Sequence, residues 1–209
     1  RAMKVVVIFS LLSLSVMAGS AVRTADVRHI PRNLTDDRLF FDFLMNRQPH
    51  SKKPSRLSTY QFTNCGDPNK ELVLAKLTLS PDPLPSSGTI NITFQANISK
   101  DVVAPVKTAV TWQEQSSGDW INVPCVDNIG SCDYADFCQV LAMIGSCPQP
   151  FIDNGVPCHC PLPKGNYSLP GVSLDVDLGI LPTGAYRAKF DFEASAGPVG
   201  CYEIRFNLD

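Results

Sequence analysis

The sequence predicts an all-β protein built from antiparallel strands, and three observations support this prediction. Apolar and polar residues alternate with a period of two, as they do in strands that have one buried and one wet face. Pro and Gly residues fall between the alternating segments, where turns are expected. The chain has 209 residues and a formal net charge of −2, enough length for one substantial core and no basic excess that would indicate nucleic acid.

The predicted strands number about eight, and four of them alternate clearly. The clear strands are 89–98, 172–180, 185–194 and 201–208. The weaker strands are 57–63, 72–79, 106–113 and 119–123. One stretch, 133–145, instead has apolar residues at helical spacing, and we expect one short helix there with Ser131 or Asp133 as its N-cap.

The N-terminal part of the chain is predicted to lie outside the folded domain. Residues 1–20 are interpreted as a cleaved signal peptide, because Lys4 precedes an apolar run over 5–17 and small residues follow it. A membrane anchor is the alternative, but it needs about 20 apolar residues. Residues 21–50 are interpreted as a leader or propeptide-like extension, with a short amphipathic helix as the alternative. The folded domain is predicted to span residues 51–209.

Eight cysteines in a secreted chain predict four disulfides. The stretch "PCHCP" could also form a metal site or a redox centre, since His159 lies between Cys158 and Cys160. Zinc sites usually take four ligands in pairs spaced about two residues apart, and a redox centre usually takes Cys-x-x-Cys before a helix. The spacing fits neither, so we predict no metal and no cofactor. A bond between Cys158 and Cys160 would have poor geometry, so each is expected to bond another cysteine.

Asn-x-Ser/Thr sequons predict glycosylation on an exposed face of the sheet. The acceptor residues are Asn33, Asn91, Asn97 and Asn166. Asn91 and Asn97 share the polar parity of one predicted strand, and a glycan must stand in solvent. The apolar residues that alternate with them are therefore expected to face the core.

Four motifs in succession carry a resemblance to a known family. They are "WINVPCVDNIGSC", "DFCQVL", "GVPCHCP" and "GNYSLP". Together with "NC" at 65 and "GC" at 201 they closely resemble the ganglioside-binding members of the MD-2-related lipid-recognition family, over residues 51–209 and including all eight cysteines. The resemblance implies an eight-stranded antiparallel β-cup with an apolar lipid cavity. Alternation alone leaves a close-packed sandwich core open as the alternative.

The resemblance also implies which cysteines pair. The implied disulfides are Cys65–Cys201, Cys125–Cys132, Cys138–Cys160 and Cys147–Cys158. Under this pairing Cys160 would tie down the predicted helix and Cys158 would close the loop that follows it. His159 would then be a spacer between the two bonds.

The lipid-contacting residues are likewise implied by the resemblance. The cavity wall would comprise Ile90, Ile92, Phe94, Val110, Leu174, Val176, Phe190 and Phe192. The rim that reaches the membrane would comprise Trp120, Ile180 and Leu181. Ile180 stands where the family has an exposed tryptophan, a departure that bears on the strength of membrane attachment. Trp112 has no counterpart and is expected to fill the core.

The implied function is that of a non-enzymatic activator. It would extract a glycosphingolipid or ganglioside during transient contact with a membrane surface and present it to a lysosomal β-hexosaminidase. It would reach the lysosome through the secretory pathway, with an extracellular pool as a further expectation. The alternative is a secreted carrier or recognition module for another lipid, such as a sterol, a phospholipid or a microbial glycolipid. The residues themselves disfavour an enzyme, since the sequence has no serine elbow and no convincing metal motif.

Overall fold

The computed structural model describes residues 57, 59–126, 128, 130–178 and 181–209. The strands in this part of the chain are β1 (Gln61–Asn64), β2 (Leu72–Ser80), β3 (Ser87–Ile98), β4 (Lys107–Ser116), β5 (Asp119–Asn122), β6 (Asp133–Tyr134), β7 (Gly165–Asp177), β8 (Gly184–Ala194) and β9 (Gly197–Leu208). The helices are α1 (Phe137–Ala142) and α2 (Gln149–Asp153). The predicted signal peptide, the extension over 21–50, Asn33 and Ile180 lie outside the described residues.

The strands form two antiparallel sheets that face each other. The large sheet has the order β1-β9-β8-β4-β5, with β6 also paired to β4. The small sheet has the order β2-β3-β7. The predicted all-β antiparallel fold is therefore confirmed. Inward residues of both sheets form one hydrophobic core, as the alternation of β3 illustrates, where Ile90, Ile92 and Phe94 are buried.

β7 begins earlier than the sequence predicts. The predicted strand started at residue 172, after Pro170 and Gly171, which are typical of a turn. In the structure the strand begins at Gly165, opposite Ile98, and its pairing with β3 shifts register near these two residues. The Pro-Gly pair therefore marks an irregularity inside a long edge strand, where a proline, which has no backbone N–H to donate, is tolerated.

The helical prediction is correct in place but wrong in extent and number. Asp133–Tyr134 pairs with β4, so neither Ser131 nor Asp133 is the N-cap. Asp136 is the N-cap, and its carboxylate accepts hydrogen bonds from the N–H groups of Cys138 and Val106, each at 3.0 Å. α2, which has Pro150 in its first turn, was not predicted.

The disulfides join the cysteines that the resemblance implied. They are Cys65–Cys201, Cys125–Cys132, Cys138–Cys160 and Cys147–Cys158. Cys65–Cys201 closes the longest loop, with a sequence separation of 136. The predicted disulfide framework is thus confirmed, including the separate partners of Cys158 and Cys160.

Candidate lipid-binding site

An apolar cavity of about 70 Å³ lies between the two sheets at one end of the cup. Its lining comes from both sheets, from α1 and from the loops beside it. The lining residues are Leu72, Phe94, Ala96, Ile98, Val102, Val106, Phe137, Cys138, Leu141, Val156, Pro157, Cys160, Leu162, Tyr167, Phe192 and Val199. Almost every lining group is apolar, so the cavity suits hydrocarbon and offers little to a polar ligand.

Residues 137–162, here called the helical segment, close this end of the cup. Phe137 of α1 packs against Phe192 of the large sheet, with ring centroids 5.4 Å apart. Phe151 of α2 packs against Phe94 of the small sheet, with ring centroids 6.3 Å apart. The helical segment therefore bridges the two sheets over the cavity.

Covalent bonds hold the helical segment together. Cys138–Cys160 joins α1 to the loop that follows α2. Cys147–Cys158 joins the connection between α1 and α2 to that same loop. Backbone hydrogen bonds then attach the segment to the β3–β4 connection. Phe137 N–H donates to the Val106 carbonyl at 2.6 Å, and Val102 and Leu162 exchange two bonds at 2.9 Å. The disulfides therefore cross-link the helical segment internally, and its backbone hydrogen bonds attach it to residues 102–106.

The predicted cavity residues are all buried, but only two of them line this cavity. Those two are Phe94 and Phe192. The others, Ile90, Ile92, Val110, Leu174, Val176 and Phe190, are buried in the hydrophobic core without lining the cavity. These six residues are therefore packed into the core, and the apolar cavity opens beside the helical segment.

An aromatic cluster fills the cup at the other end. Tyr186 stacks on Phe206 with ring centroids 5.6 Å apart, and Trp112 meets both rings edge-on at 6.4 Å. The three side chains are 0–1% exposed. Trp112 fills the core, as predicted.

Two of the predicted rim residues, Trp120 and Leu181, lie far from the apolar cavity. Trp120 pairs with Gln115, seven residues along β4 from Thr108, which pairs with the cavity residue Phe192. At 3.3 Å per residue this places Trp120 roughly 23 Å from the cavity along the strand. Leu181, at the same end as Trp120, is buried rather than exposed. The structure therefore does not bring these rim residues to the opening of the cavity.

Trp120 lies half-buried on the outer face of the large sheet, where a cation covers it. The Arg187 guanidinium carbon stands 4.7 Å from the centroid of the Trp120 ring, and Arg187 Nε also donates to Gln113 Oε1. Such a cation–π contact stabilises an exposed pair by about 0.5–1 kcal/mol. A bilayer would have to compete with Arg187 for one face of this ring.

Exposed apolar side chains flank the cavity instead, and sequence reasoning missed them. Met143 is 64% exposed, and Val103 and Ile152 are each 55% exposed. Met143 follows α1, Val103 follows the cavity residue Val102, and Ile152 belongs to α2. A sequence signal was available for Met143, which lies in the predicted helical stretch 133–145 but outside its apolar spacing. Ile152 lies on α2, which was not predicted.

Polar atoms inside the cup are few. Thr108 Oγ1 and Trp112 Nε1 are buried and have no hydrogen-bond partner among the described residues. Tyr60 Oη is buried in the same way, and desolvation raises the pKa of this phenol. Unpartnered buried polar atoms are unfavourable, and none of these three residues lines the apolar cavity.

A second concavity lies on the outer face of the large sheet. It is an open groove of about 550 Å³, larger than the apolar cavity. Charged side chains on its walls include Asp67, Lys70, Lys107, Asp133 and Asp191. The lining of the smaller cavity is almost wholly apolar whereas the groove carries these charges, so we regard the smaller cavity as the lipid-binding candidate.

Two kinds of feature do not occur in the described part of the chain. No helix there has the length and apolar character needed to cross a bilayer. No group of three or more His, Cys, Asp or Glu side chains there could hold a metal ion.

Comparison with known proteins places the chain in a family. The family model described as "ML domain" matches residues 59–208. A ganglioside GM2 activator of Macaca fascicularis is 34% identical over 174 residues, which cover 79% of this chain and 90% of the relative. A ganglioside GM2 activator of Mus musculus is 33% identical over 165 residues, which cover 75% of this chain and 86% of the relative.

A solved structure also matches. It is the crystal structure of a Niemann-Pick type C2 protein from Japanese carpenter ant, with a TM-score of 0.40 and 15% sequence identity. The match covers 71% of this chain and 99% of that chain.

The two facing sheets, the apolar cavity and the matched family define the class of protein. This chain belongs to the ML-domain family, whose fold is a lipid-binding domain. Within that family it is similar over most of its length to proteins named ganglioside GM2 activator, which are named as activators rather than enzymes.

Proposed function

We propose that this protein is a glycosphingolipid-binding activator that takes a ganglioside from a membrane and presents its sugar head to a lysosomal β-hexosaminidase. The observation that carries the proposal is an apolar cavity in a chain that is 34% identical to a ganglioside GM2 activator. The four disulfides support passage through an oxidising compartment, as delivery to a lysosome through the secretory pathway would require.

The acyl chains, in this proposal, enter beside the helical segment. The cavity lies there, and each methylene that leaves water for an apolar site contributes about 0.8 kcal/mol. Val103, Met143 and Ile152 are exposed at the same end and would contact the acyl boundary of the bilayer during extraction. The Trp120 rim that the family resemblance implies stays a prediction, and it lies at the opposite end.

Lipid binding requires the cup to widen. Ligand pockets usually measure about 300–1,000 Å³, whereas this cavity measures about 70 Å³. The helical segment is the moving part in this proposal, because its disulfides keep it intact as a unit. Its movement would break the backbone bonds to residues 102–106 and separate Phe137 from Phe192 and Phe151 from Phe94. Its displacement would open the cavity between Phe94 and Phe192.

The decisive experiment incubates the full chain with liposomes that contain GM2 and measures extracted lipid by native mass spectrometry. The expected result is a one-to-one complex with the ganglioside. Addition of β-hexosaminidase to the same liposomes should then release the terminal sugar faster than hydrolase alone. Hydrolase without this protein, and this protein without hydrolase, are the two controls.

The outcomes separate the candidate functions. A bound ganglioside with no gain in hydrolysis would retain lipid binding and reject the activator role. A bound sterol or phospholipid with no ganglioside would favour the alternative carrier function. Sugar release by this protein without hydrolase would overturn the assignment as a non-enzymatic activator.

A further inference from the structure

The open groove on the outer face of the large sheet, here called the charged groove, lies back to back with the apolar cavity. Phe192 of β8 lines both spaces. Neighbouring residues of three other segments are divided between the two linings, with the cavity residue given first: Val106 and Lys107, Phe137 and Ala135, Val199 and Gly200. Successive residues of a strand point to opposite faces, so one strand can line both spaces. The large sheet is therefore the wall between the charged groove and the apolar cavity.

The charged groove reaches the end of the large sheet at which the cavity lies. Lys107 is the first residue of β4, Glu193 is the next-to-last residue of β8, and Pro198 is the second residue of β9. All three line the charged groove. Val106, directly before β4, lines the apolar cavity. An amphiphile that bends over this end of the sheet would keep its tail in the cavity and its polar head in the groove.

Strand register gives the charged groove a low floor between two carboxylates. Ala109 of β4 pairs with Asp133 of β6 on one side and with Asp191 of β8 on the other. Neighbouring strands lie about 4.8 Å apart, so the Cα atoms of the two aspartates are roughly 10 Å apart across Ala109. The side chain of Ala109 is short and exposed. The space between the two carboxylates is therefore open to a ligand.

The charges of the groove favour a neutral ligand that is rich in hydroxyl groups. Carboxylates outnumber ammonium groups in the lining, which includes Asp67, Asp133, Asp191 and Glu193 against Lys70 and Lys107. This excess of negative charge repels a phosphate or a carboxylate. Two of the carboxylates already have a cation beside them, which weakens the attraction for a cationic ligand. Asp191 forms an ion pair with Lys189 at 2.8 Å, and Glu193 is paired with Lys107 on the neighbouring strand. Sugar hydroxyls can donate to carboxylates and accept from ammonium groups.

We propose that the charged groove is the headgroup subsite of the lipid-binding site and that it takes uncharged hexose units. The inference rests on the proposed function, because it requires a glycolipid whose acyl chains occupy the apolar cavity. The charged groove measures about 550 Å³, within the range of about 300–1,000 Å³ that is usual for ligand pockets. A ganglioside would place its neutral hexoses in the groove and keep its sialic acid carboxylate in solvent.

The first test titrates the full chain with lactose, a neutral disaccharide, and follows backbone amide chemical shifts by NMR. We expect saturable shifts at Ala109, Asp133 and Asp191, and no such shifts with free sialic acid at the same concentrations. The Asp133→Asn variant keeps the size of the side chain but removes its negative charge, so it should bind lactose several-fold more weakly. This titration uses no lipid and no hydrolase.

The second test measures extraction from liposomes of lactosylceramide and of ceramide with the same acyl chains. Ala109→Trp places a large ring on the floor of the charged groove, and it should lower the ratio of extracted lactosylceramide to ceramide several-fold. Thr111→Trp is the matched control, because Thr111 is exposed two residues along the same face of β4 but does not line the groove. It should keep the ratio of the unsubstituted protein. Circular dichroism checks that both variants are folded.

The two tests separate this inference from the proposed function. A lactose titration without shifts at the charged groove overturns the inference, even if the protein extracts lipid and stimulates β-hexosaminidase. A folded Ala109→Trp variant that keeps the unsubstituted ratio overturns it as well. Saturable lactose shifts in a protein that extracts neither lipid would support the sugar subsite and reject the proposed lipid binding.

Discussion

Tyr202 of β9 donates a hydrogen bond from its phenol to the carbonyl of Leu72 on β2, at 2.6 Å. The same oxygen accepts from the Leu74 N–H at 3.1 Å. Because β9 belongs to the large sheet and β2 to the small sheet, one side chain joins the two halves of the cup. Tyr202 is buried, and its two bonds lie on the side of the cup away from β7.

The Tyr202→Phe substitution should reduce the free energy of unfolding by about 1–3 kcal/mol, because it leaves a buried carbonyl and N–H without this partner. Urea denaturation followed by circular dichroism measures the change. Tyr134→Phe is the control, since it also removes a phenol that donates to a backbone carbonyl, at Asn128, but at an exposed site. Equal losses in the free energy of unfolding for the two variants would show that the hydrogen bonds between the sheets contribute no more than the Tyr134 bond.

Stability should fall at alkaline pH in a way that depends on Tyr202. Burial raises the pKa of this phenol from 10.0 to about 12. The Tyr202 phenol is protonated in both the folded and the unfolded protein below pH 10, so its contribution to the free energy of unfolding is fully present there. That contribution is lost as pH rises through about 12. We expect the free energy of unfolding to drop across this interval, and to drop less in Tyr202→Phe. If the free energy of unfolding fell equally with pH in both proteins, Tyr202 would not be the group responsible.

The two tryptophans should respond differently to substitution. Trp112→Ala should lower the free energy of unfolding by about 3–5 kcal/mol, because it removes a fully buried ring from the aromatic cluster. Trp120→Ala should cost about 1 kcal/mol, since it mainly removes the contact with Arg187. Thermal unfolding of both variants measures the difference. A larger loss for Trp120 would mean that it is a core residue rather than one on the outer face of the large sheet.

Lipid extraction should depend on the end of the cup that carries the helical segment. The Met143→Ser/Ile152→Ser variant should extract several-fold less ganglioside from liposomes, because it removes two exposed apolar contacts beside the cavity. Ile121→Ser is the matched control, since Ile121 is 46% exposed but lies on β5 at the opposite end. If Ile121→Ser or Trp120→Ala is the more damaging change, the rim implied by family resemblance is the membrane-contacting end.

Removal of a disulfide should destabilise the protein more when the bond closes a longer loop, because the entropic cost rises with the logarithm of loop length. In the chain-entropy model, replacement of Cys65 and Cys201 by alanine costs about 5 kcal/mol for a sequence separation of 136. The same change at Cys125 and Cys132 costs about 2 kcal/mol for a separation of 7. Chemical denaturation of the two double variants tests this order. The reverse order would show that native-state contacts outweigh chain entropy.

Much of the fold could be predicted from local pattern. Alternation along β3 marks which side chains face the core, because successive residues of a strand point to opposite faces. The cysteine motifs carried a family resemblance, and the disulfide pairing followed from it. The helix was placed correctly but extended too far, because Asp133 and Tyr134 pair with β4 in a contact that no local pattern reveals.

The sequence by itself determined most of the strands and their buried faces, though not β6 or the start of β7, and its motifs indicated the family to which the chain belongs. Only the tertiary structure decided where along the cup the cavity lies, since alternation distinguishes inside from outside but not one end from the other. Phe94 and Phe190 are both inward aromatic residues, yet only Phe94 lines the cavity. Long-range register and side-chain packing decide which of them meets empty space, and both arise only when the two sheets come together.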